Sequence, residues 1–279
     1  MDQTQTSLDA DFDYLDWCYG GMESLLNNHT QADFKAMMGG ESYYCLHLDA
    51  SNYAGMEDKF ADGIKKAART LYDNITNMLK RIREYFFGDG EKAADQAQAN
   101  AEATIGALME MRGDTPIPED SPARNPDTYI KPLEGGVEFN ELKDENTALG
   151  TAIDKVKSAA MKVRDAATVA QLCSVYTEIG KAATAGNKVV TDTLRKTLGA
   201  AEQASRKLQN AKIPKDGDTA EVKSAIKAEN AEVVAEAKEE TKKARLVGGV
   251  RNKFVGALNA ISRTAKGVKE KPVEPKFKG

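Results

Sequence analysis

The chain has 279 residues, of which 41% are hydrophobic, 6% aromatic and 29% charged, and its formal net charge is -4 at pH 7. Its length allows one large domain or two ordinary ones. The shortage of aromatic residues argues against a large sheet-based enzyme, because buried sheets need continuous runs of β-branched and aromatic residues. The composition instead predicts an all-α fold of elongated helical hairpins or a coiled-coil-like bundle, with a small acidic N-terminal cap.

Charge is distributed unevenly along the chain. Residues 1–60 contain eleven acidic and two basic residues, whereas residues 241–279 contain eleven basic and two acidic residues. Opposite poles of this kind would allow head-to-tail association of copies or a different partner at each end, and solvated faces of an ordinary protein are the alternative. We expect no signal peptide and no membrane span, since no run approaches about 20 apolar residues.

The first predicted region, residues 1–112, consists of the acidic cap and an amphipathic helical hairpin. Within the cap, Gly20-Gly21 is expected to interrupt a short helix. Residues 41–50 are the best strand candidate, with a buried helical turn as an equal alternative. Residues 56–87 carry apolar side chains in steps of four and three, which predicts a long amphipathic helix with a narrow seam. After a Gly-Asp-Gly turn, an alanine-rich helix over residues 91–112 is expected to fold back along it.

A proline-rich segment follows, over residues 113–136. Five of the eight prolines of the chain lie here, among aspartate, serine, asparagine and arginine. Proline lacks a backbone donor and fixes φ, so this composition predicts a linker or an extended surface strap. The segment is therefore the clearest domain boundary in the sequence.

The third region, residues 137–247, is predicted to contain long coiled-coil-like helices. Apolar residues repeat in 4-3 steps from residue 149, and the repeat shifts by an offset before residue 172, which indicates a stutter or a turn between two helices. Gly180 and Gly186 are the favoured break points. Alanine at many seam positions implies a shallow interface that needs a second chain or further helices. The predicted self-association seam comprises Leu149, Ile153, Val156, Val163, Leu172, Val175 and Ile179.

The last region, residues 248–279, is predicted to be a basic amphipathic helix and tail, separated from the preceding helix by Gly248-Gly249. Clustered lysine and arginine can neutralise phosphates of DNA or anionic headgroups of a membrane, with a solvated tail as the alternative. The predicted residues for binding an anionic partner are Arg251, Lys253, Arg263, Lys266 and Lys269.

Catalytic and metal-binding motifs are scarce. Cys18, His29, Cys45 and His47 are the only cluster with metal-ligand chemistry, and their spacing lacks the two close pairs of a zinc site. The glycine pairs lack the strand-then-helix context of a nucleotide-binding loop. We therefore expect a non-enzymatic protein with no metal, no cofactor and no small-molecule substrate.

One stretch resembles a known family. The segment FADGIKKAARTLYDNITNMLKRIREYFFGDGEKA resembles segments of internal head proteins of large tailed bacteriophages, where it follows an acidic N-terminal part and precedes alanine-rich helices. The recognisable stretch covers residues 53–92, and residues 2–53 and 146–245 look like those neighbours. The resemblance implies a virion structural protein in or near the capsid interior, in contact with other virion proteins, which passes through the host cytoplasm during assembly. Self-association into a homo-oligomer, a membrane-active role and a DNA-binding architectural role are the functions weighed.

Overall fold

The computed structural model describes residues 3–27, 57–212, 214 and 217–268, and the side chains of residues 8–26 and 66–268 within those ranges. Helices dominate this part of the chain. The described residues form no strand, and an isolated antiparallel bridge joins Pro116 to Thr168. The predicted all-α fold class is confirmed. The strand candidate at residues 41–50 lies outside the described residues.

Eight α-helices are described. In chain order they are α1 (Gln3–Asn27), α2 (Glu57–Phe87), α3 (Asp89–Met109), α4 (Asp127–Ile130), α5 (Val137–Glu145), α6 (Thr147–Met161), α7 (Val169–Gln209) and α8 (Ala220–Ala265). Short 3-10 turns lie at Pro122–Arg124, Lys131–Leu133 and Lys162–Asp165.

The amphipathic helix predicted at residues 56–87 is confirmed as α2. Its seam residues Leu71, Ile75, Met78 and Ile82 are buried, as the 4-3 spacing requires. The expected interruption of α1 at Gly20-Gly21 is wrong, because the helix continues to Asn27. The two glycines together cost a helix about 2 kcal/mol, and burial of the apolar side of α1 outweighs that cost.

The break in the third region lies before α7 and not at Gly180 or Gly186, through which α7 runs without interruption. At the start of α7 the Gln171 side-chain oxygen accepts hydrogen bonds from the backbone N–H groups of Ala167 and Thr168, at 2.8 and 3.3 Å. The Thr168 hydroxyl oxygen accepts in return from the N–H of Gln171. This reciprocal arrangement is a capping box, which satisfies donors that the first turn leaves open.

The predicted interruption at Gly248-Gly249 is also wrong, since α8 continues through both residues to Ala265. A Cβ atom at Gly248 would overlap the ring of Phe86, whereas a Cβ atom at Gly249 would meet no atom within 4 Å. Gly186 is similar to Gly248, because a Cβ atom there would lie 2.5 Å from the Phe254 ring. These two glycines permit close packing of an aromatic ring on a continuous helix.

The chain forms two compact units, the first from Met1–Tyr85 and Arg195–Arg245 and the second from Phe86–Leu194 and Leu246–Gly279. This grouping differs from the four regions inferred from the sequence, because α7 and α8 each contribute residues to both units. Helix α3, expected to fold back along α2, belongs to the second unit, whereas residues 57–85 of α2 belong to the first.

The core of the first unit combines apolar residues of α1, α2, α7 and α8. At its centre the Tyr19 hydroxyl lies 2.7 Å from the Ser205 hydroxyl and accepts from Thr241 at 3.3 Å. Tyr19 is fully buried, so these bonds replace the water that its hydroxyl loses on folding. They join residues from three separate stretches of the chain.

The proline-rich segment belongs to the second unit and is folded. It contains α4 and two 3-10 turns, and its side chains Ile117, Ala123, Tyr129 and Leu133 are buried. The Arg124 guanidinium donates to the backbone carbonyls of Arg164 and Ile117. The prolines thus shape a packed part of the second unit rather than a free linker between domains.

Candidate functional site

The seam predicted for self-association lies in the interior of the second unit. All seven of its residues are buried within the single chain: Leu149, Ile153, Val156, Val163, Leu172, Val175 and Ile179. An interface between chains built from these side chains would require this core to open, at the cost of the apolar burial that stabilises it. The assignment of these residues to a surface seam is therefore corrected: they form an intrachain core.

Arg251, predicted to bind an anionic partner, is an interior residue that is only 2% exposed. Its guanidinium donates to the backbone carbonyl of Phe86 and, at 2.9 Å, to the Thr191 hydroxyl. Phe86 belongs to the last turn of α2, where the carbonyls have no partner within the helix. Arg251 therefore stabilises the end of α2, and its assignment to an anionic surface is corrected.

The other four basic residues have different environments. The Lys253 ammonium is half-buried, donates to the Glu134 carbonyl and lies 4.6 Å from the centre of the Phe139 ring. Burial lowers the pKa of Lys253, the Glu134 carboxylate acting against that effect. Arg263 and Lys266 are exposed, and Lys269 lies outside the described residues. The predicted set is thus not brought together as one anion-binding surface.

Three buried hydroxyls meet in the second unit, a cluster that was not predicted. Tyr129 and Tyr176 lie 2.7 Å apart, and the Thr264 hydroxyl lies 2.9 Å from Tyr129 and 2.7 Å from Tyr176. Tyr129 also donates to the Ala123 carbonyl at 3.1 Å, and Thr264 donates to the Ala260 carbonyl at 2.8 Å. The cluster joins the proline-rich segment to α7 and α8. Polar residues so distant in sequence carry no local signal of their proximity.

The chemistry of the buried tyrosines and cysteines is suppressed by their surroundings. Burial raises the pKa of three tyrosines, namely Tyr19, Tyr129 and Tyr176. It raises the pKa of the Cys18 thiol to about 11, and that of the Cys173 thiol in the same direction. A thiol is nucleophilic only as the thiolate, so these environments favour packing over reaction.

The metal-ligand cluster considered from the sequence is only partly described. Cys18 lies in the core of the first unit, whereas His29, Cys45 and His47 lie outside the described residues. In the described ranges, no three histidine, cysteine, aspartate or glutamate residues are grouped to hold a metal ion.

The acidic residues of α1 form ion pairs inside the first unit. Arg245 contacts Asp9 at 3.2 Å and Asp13 at 2.8 Å, so one basic residue of α8 binds two carboxylates. Arg81 contacts Asp11 at 3.1 Å, and the Lys238–Glu23 distance is 2.7 Å. Four of the eleven acidic residues of residues 1–60 are thus paired within the chain.

An apolar groove of about 540 Å³ lies between α3 and α7 in the second unit. Its apolar lining includes Ala101 and Ile105 of α3 and Leu258 of α8. Lys181 and Lys188 of α7 line one side of it. Small-molecule sites in proteins have this order of volume and this apolar character.

Comparison of the chain with family models, characterised proteins and solved structures gives no match to any of them. Among the described residues, no helix has the length and apolar character that crossing a bilayer demands.

Proposed function

We propose that this chain is a non-enzymatic structural protein of a bacteriophage virion, located in or near the capsid interior. The main support for the proposal is that buried polar side chains form hydrogen bonds within the protein interior rather than lining an open cleft. Arg251 donates to the Phe86 carbonyl and the Thr191 hydroxyl. The hydroxyls of the Tyr129–Tyr176–Thr264 cluster bond within that cluster, and those of the Tyr19–Ser205 pair bond within the pair. Buried polar networks of this kind hold helices in one arrangement, which suits a structural component.

The resemblance of residues 53–92 to internal head proteins supports the same proposal. Helix α2 occupies most of that stretch and is amphipathic along its length. Its buried seam packs in the first unit, while Arg83 pairs with Glu202 of α7 at 2.8 Å. The stretch thus contributes a packed helix to the first unit.

Association with copies of itself and with other virion proteins is part of the proposal. The buried seam residues are excluded from such contacts, so exposed faces must provide them. Long helices α7 and α8, of 41 and 46 residues, offer the largest regular surfaces for this purpose.

The membrane-active and DNA-binding alternatives receive less support. Four seam residues of α2 that would enter a membrane are buried in the first unit: Leu71, Ile75, Met78 and Ile82. Of the basic residues predicted to neutralise phosphates, Arg251 is buried and cannot contact DNA.

Quantitative mass spectrometry of purified bacteriophage particles that encode this chain tests the proposal. We expect the chain in intact particles at a reproducible copy number, protected from protease until the capsid is opened. Detection in infected-cell lysate together with absence from particles would refute a virion location. Protease digestion of intact particles would refute the interior location separately.

A further inference from the structure

We propose that the groove between α3 and α7 binds a single-chain anionic amphiphile, of the class of medium-chain fatty acids. The alkyl chain lies along the apolar lining, and the carboxylate lies near Lys181 and Lys188. This inference goes beyond the proposed structural role and does not depend on it.

The dimensions of the groove favour an alkyl chain. Its lining residues run from Gln98 to Met109 on α3 and from Thr177 to Lys188 on α7. Each wall therefore advances eleven residues, or about 16 Å. Dividing the volume of about 540 Å³ by that length leaves a cross-section of about 33 Å². The groove is thus long and narrow, which suits an extended chain.

The charge around the groove favours an anionic head group. Lys181 and Lys188 are exposed, and within the described part of the chain neither has an ion pair or a hydrogen bond. Seven residues separate them, so they lie on one face of α7 two turns apart. On the α3 side, the Glu102 carboxylate accepts a hydrogen bond from the Gln98 amide at 2.8 Å. Two ammonium groups without partners thus border an apolar floor, and a carboxylate would complement them.

Isothermal titration calorimetry on the full chain measures binding of decanoate below its micelle concentration, with 1-decanol as the neutral control. We expect saturable binding of one decanoate per chain, at least tenfold tighter than that of 1-decanol. Absence of saturable binding would overturn the proposal. Equal affinity for the acid and the alcohol would overturn its electrostatic part.

Gly180→Leu tests the site without endangering the fold. Gly180 lines the groove, and a Cβ atom there meets no atom within 4 Å, so leucine projects into open groove space. We expect at least a tenfold loss of decanoate affinity. Gly199→Leu is the matched control, because Gly199 also lies in α7 with open space around it but does not line the groove. Equal binding by the wild type and Gly180→Leu would refute the location.

The double variant Lys181→Gln/Lys188→Gln tests the head-group contact. We expect at least a fivefold loss of decanoate affinity at low salt and no change for 1-decanol. Lys196→Gln, an exposed lysine on the same helix outside the groove, should bind decanoate like the wild type. Sedimentation velocity distinguishes a second copy as occupant: a dimer that Gly180→Leu dissociates and decanoate leaves intact would overturn the amphiphile proposal.

Discussion

Replacing Tyr129 by phenylalanine should destabilise the protein more than replacing Tyr176, although both hydroxyls belong to the same buried cluster. The difference follows from the three hydroxyl protons. Tyr129 donates to the Ala123 carbonyl and Thr264 to the Ala260 carbonyl, so the Tyr176 proton goes to one of the other two hydroxyl oxygens. Loss of the Tyr176 hydroxyl therefore leaves both remaining protons with an acceptor.

The magnitudes can be estimated from this pattern. Tyr176→Phe removes the equivalent of one neutral hydrogen bond, which contributes about 0.5–1.5 kcal/mol to the free energy of unfolding. Tyr129→Phe removes a similar bond and also leaves the buried Ala123 carbonyl without its donor, a penalty of about 1–3 kcal/mol. We therefore expect a loss of about 1 kcal/mol for Tyr176→Phe and about 2–4 kcal/mol for Tyr129→Phe.

Urea denaturation followed by far-ultraviolet circular dichroism measures both values. Dichroism is preferable to fluorescence, because the single tryptophan, Trp17, lies in the first unit and the cluster lies in the second. Tyr72→Phe is the control: Tyr72 has no hydrogen bond within the described ranges, so its variant should stay within about 0.5 kcal/mol of the wild type. Equal losses for the two cluster variants, or the reverse order, would refute the proton assignment.

Three further predictions concern pH, the buried arginine and the helix glycines. Stability should fall as pH rises above the ordinary tyrosine pKa of 10.0, because the unfolded chain loses the tyrosine protons first. The expected slope is about 1.4 kcal/mol per pH unit for each buried tyrosine of raised pKa. Urea midpoints measured across alkaline pH give this slope. Arg251→Met should cost about 2–6 kcal/mol, because the Phe86 carbonyl and the Thr191 hydroxyl each lose a donor at about 1–3 kcal/mol. Thermal unfolding compares it with Arg251→Lys, which keeps the charge but not the two-armed geometry. Gly248→Ala should lower the free energy of unfolding by about 1–3 kcal/mol, because the added Cβ atom overlaps the Phe86 ring. Gly249→Ala should raise it by about 0.5–1 kcal/mol, because its Cβ atom meets open space and alanine favours a helix over glycine. Urea denaturation measures both changes.

Each of these has a contrary result. A flat alkaline profile would show that the tyrosines reach water in the native state. Wild-type stability of Arg251→Met would show that the guanidinium contributes no net stability there. Similar effects of the two alanine substitutions would contradict the close packing of Phe86 on one side of α8.

Local sequence patterns were sufficient where burial follows a single helix period. The 4-3 repeat predicted the extent of α2 and the burial of Leu71, Ile75, Met78 and Ile82, because a helix presents every third or fourth side chain to the same side. The start of α7 was also readable: Thr168 followed by Gln171 has the spacing of a capping box, yet the continuous 4-3 repeat across residues 162–168 concealed the break. Reading the cap would have placed the turn correctly.

The helix breaks predicted at glycines and the linker predicted at prolines are wrong, because the effect of these residues depends on what packs against them. Gly186 and Gly248 look like helix breaks in isolation, but each admits an aromatic ring against a continuous helix. The prolines of residues 113–136 suggested a linker, whereas the buried Tyr129 and Leu133 hold that segment in the second unit. Side chains from distant parts of the chain decide both outcomes.

Composition and local periodicity are enough to specify the helical class of this protein and the apolar face of α2. The surroundings of the charged and seam residues follow instead from the packing of distant helices. Arg251 is basic in sequence yet interior in the fold, and Leu149 and Ile153 are a core rather than an interface. The physical reason is that burial depends on which distant helix covers a face, and a local pattern specifies a face without specifying its neighbour.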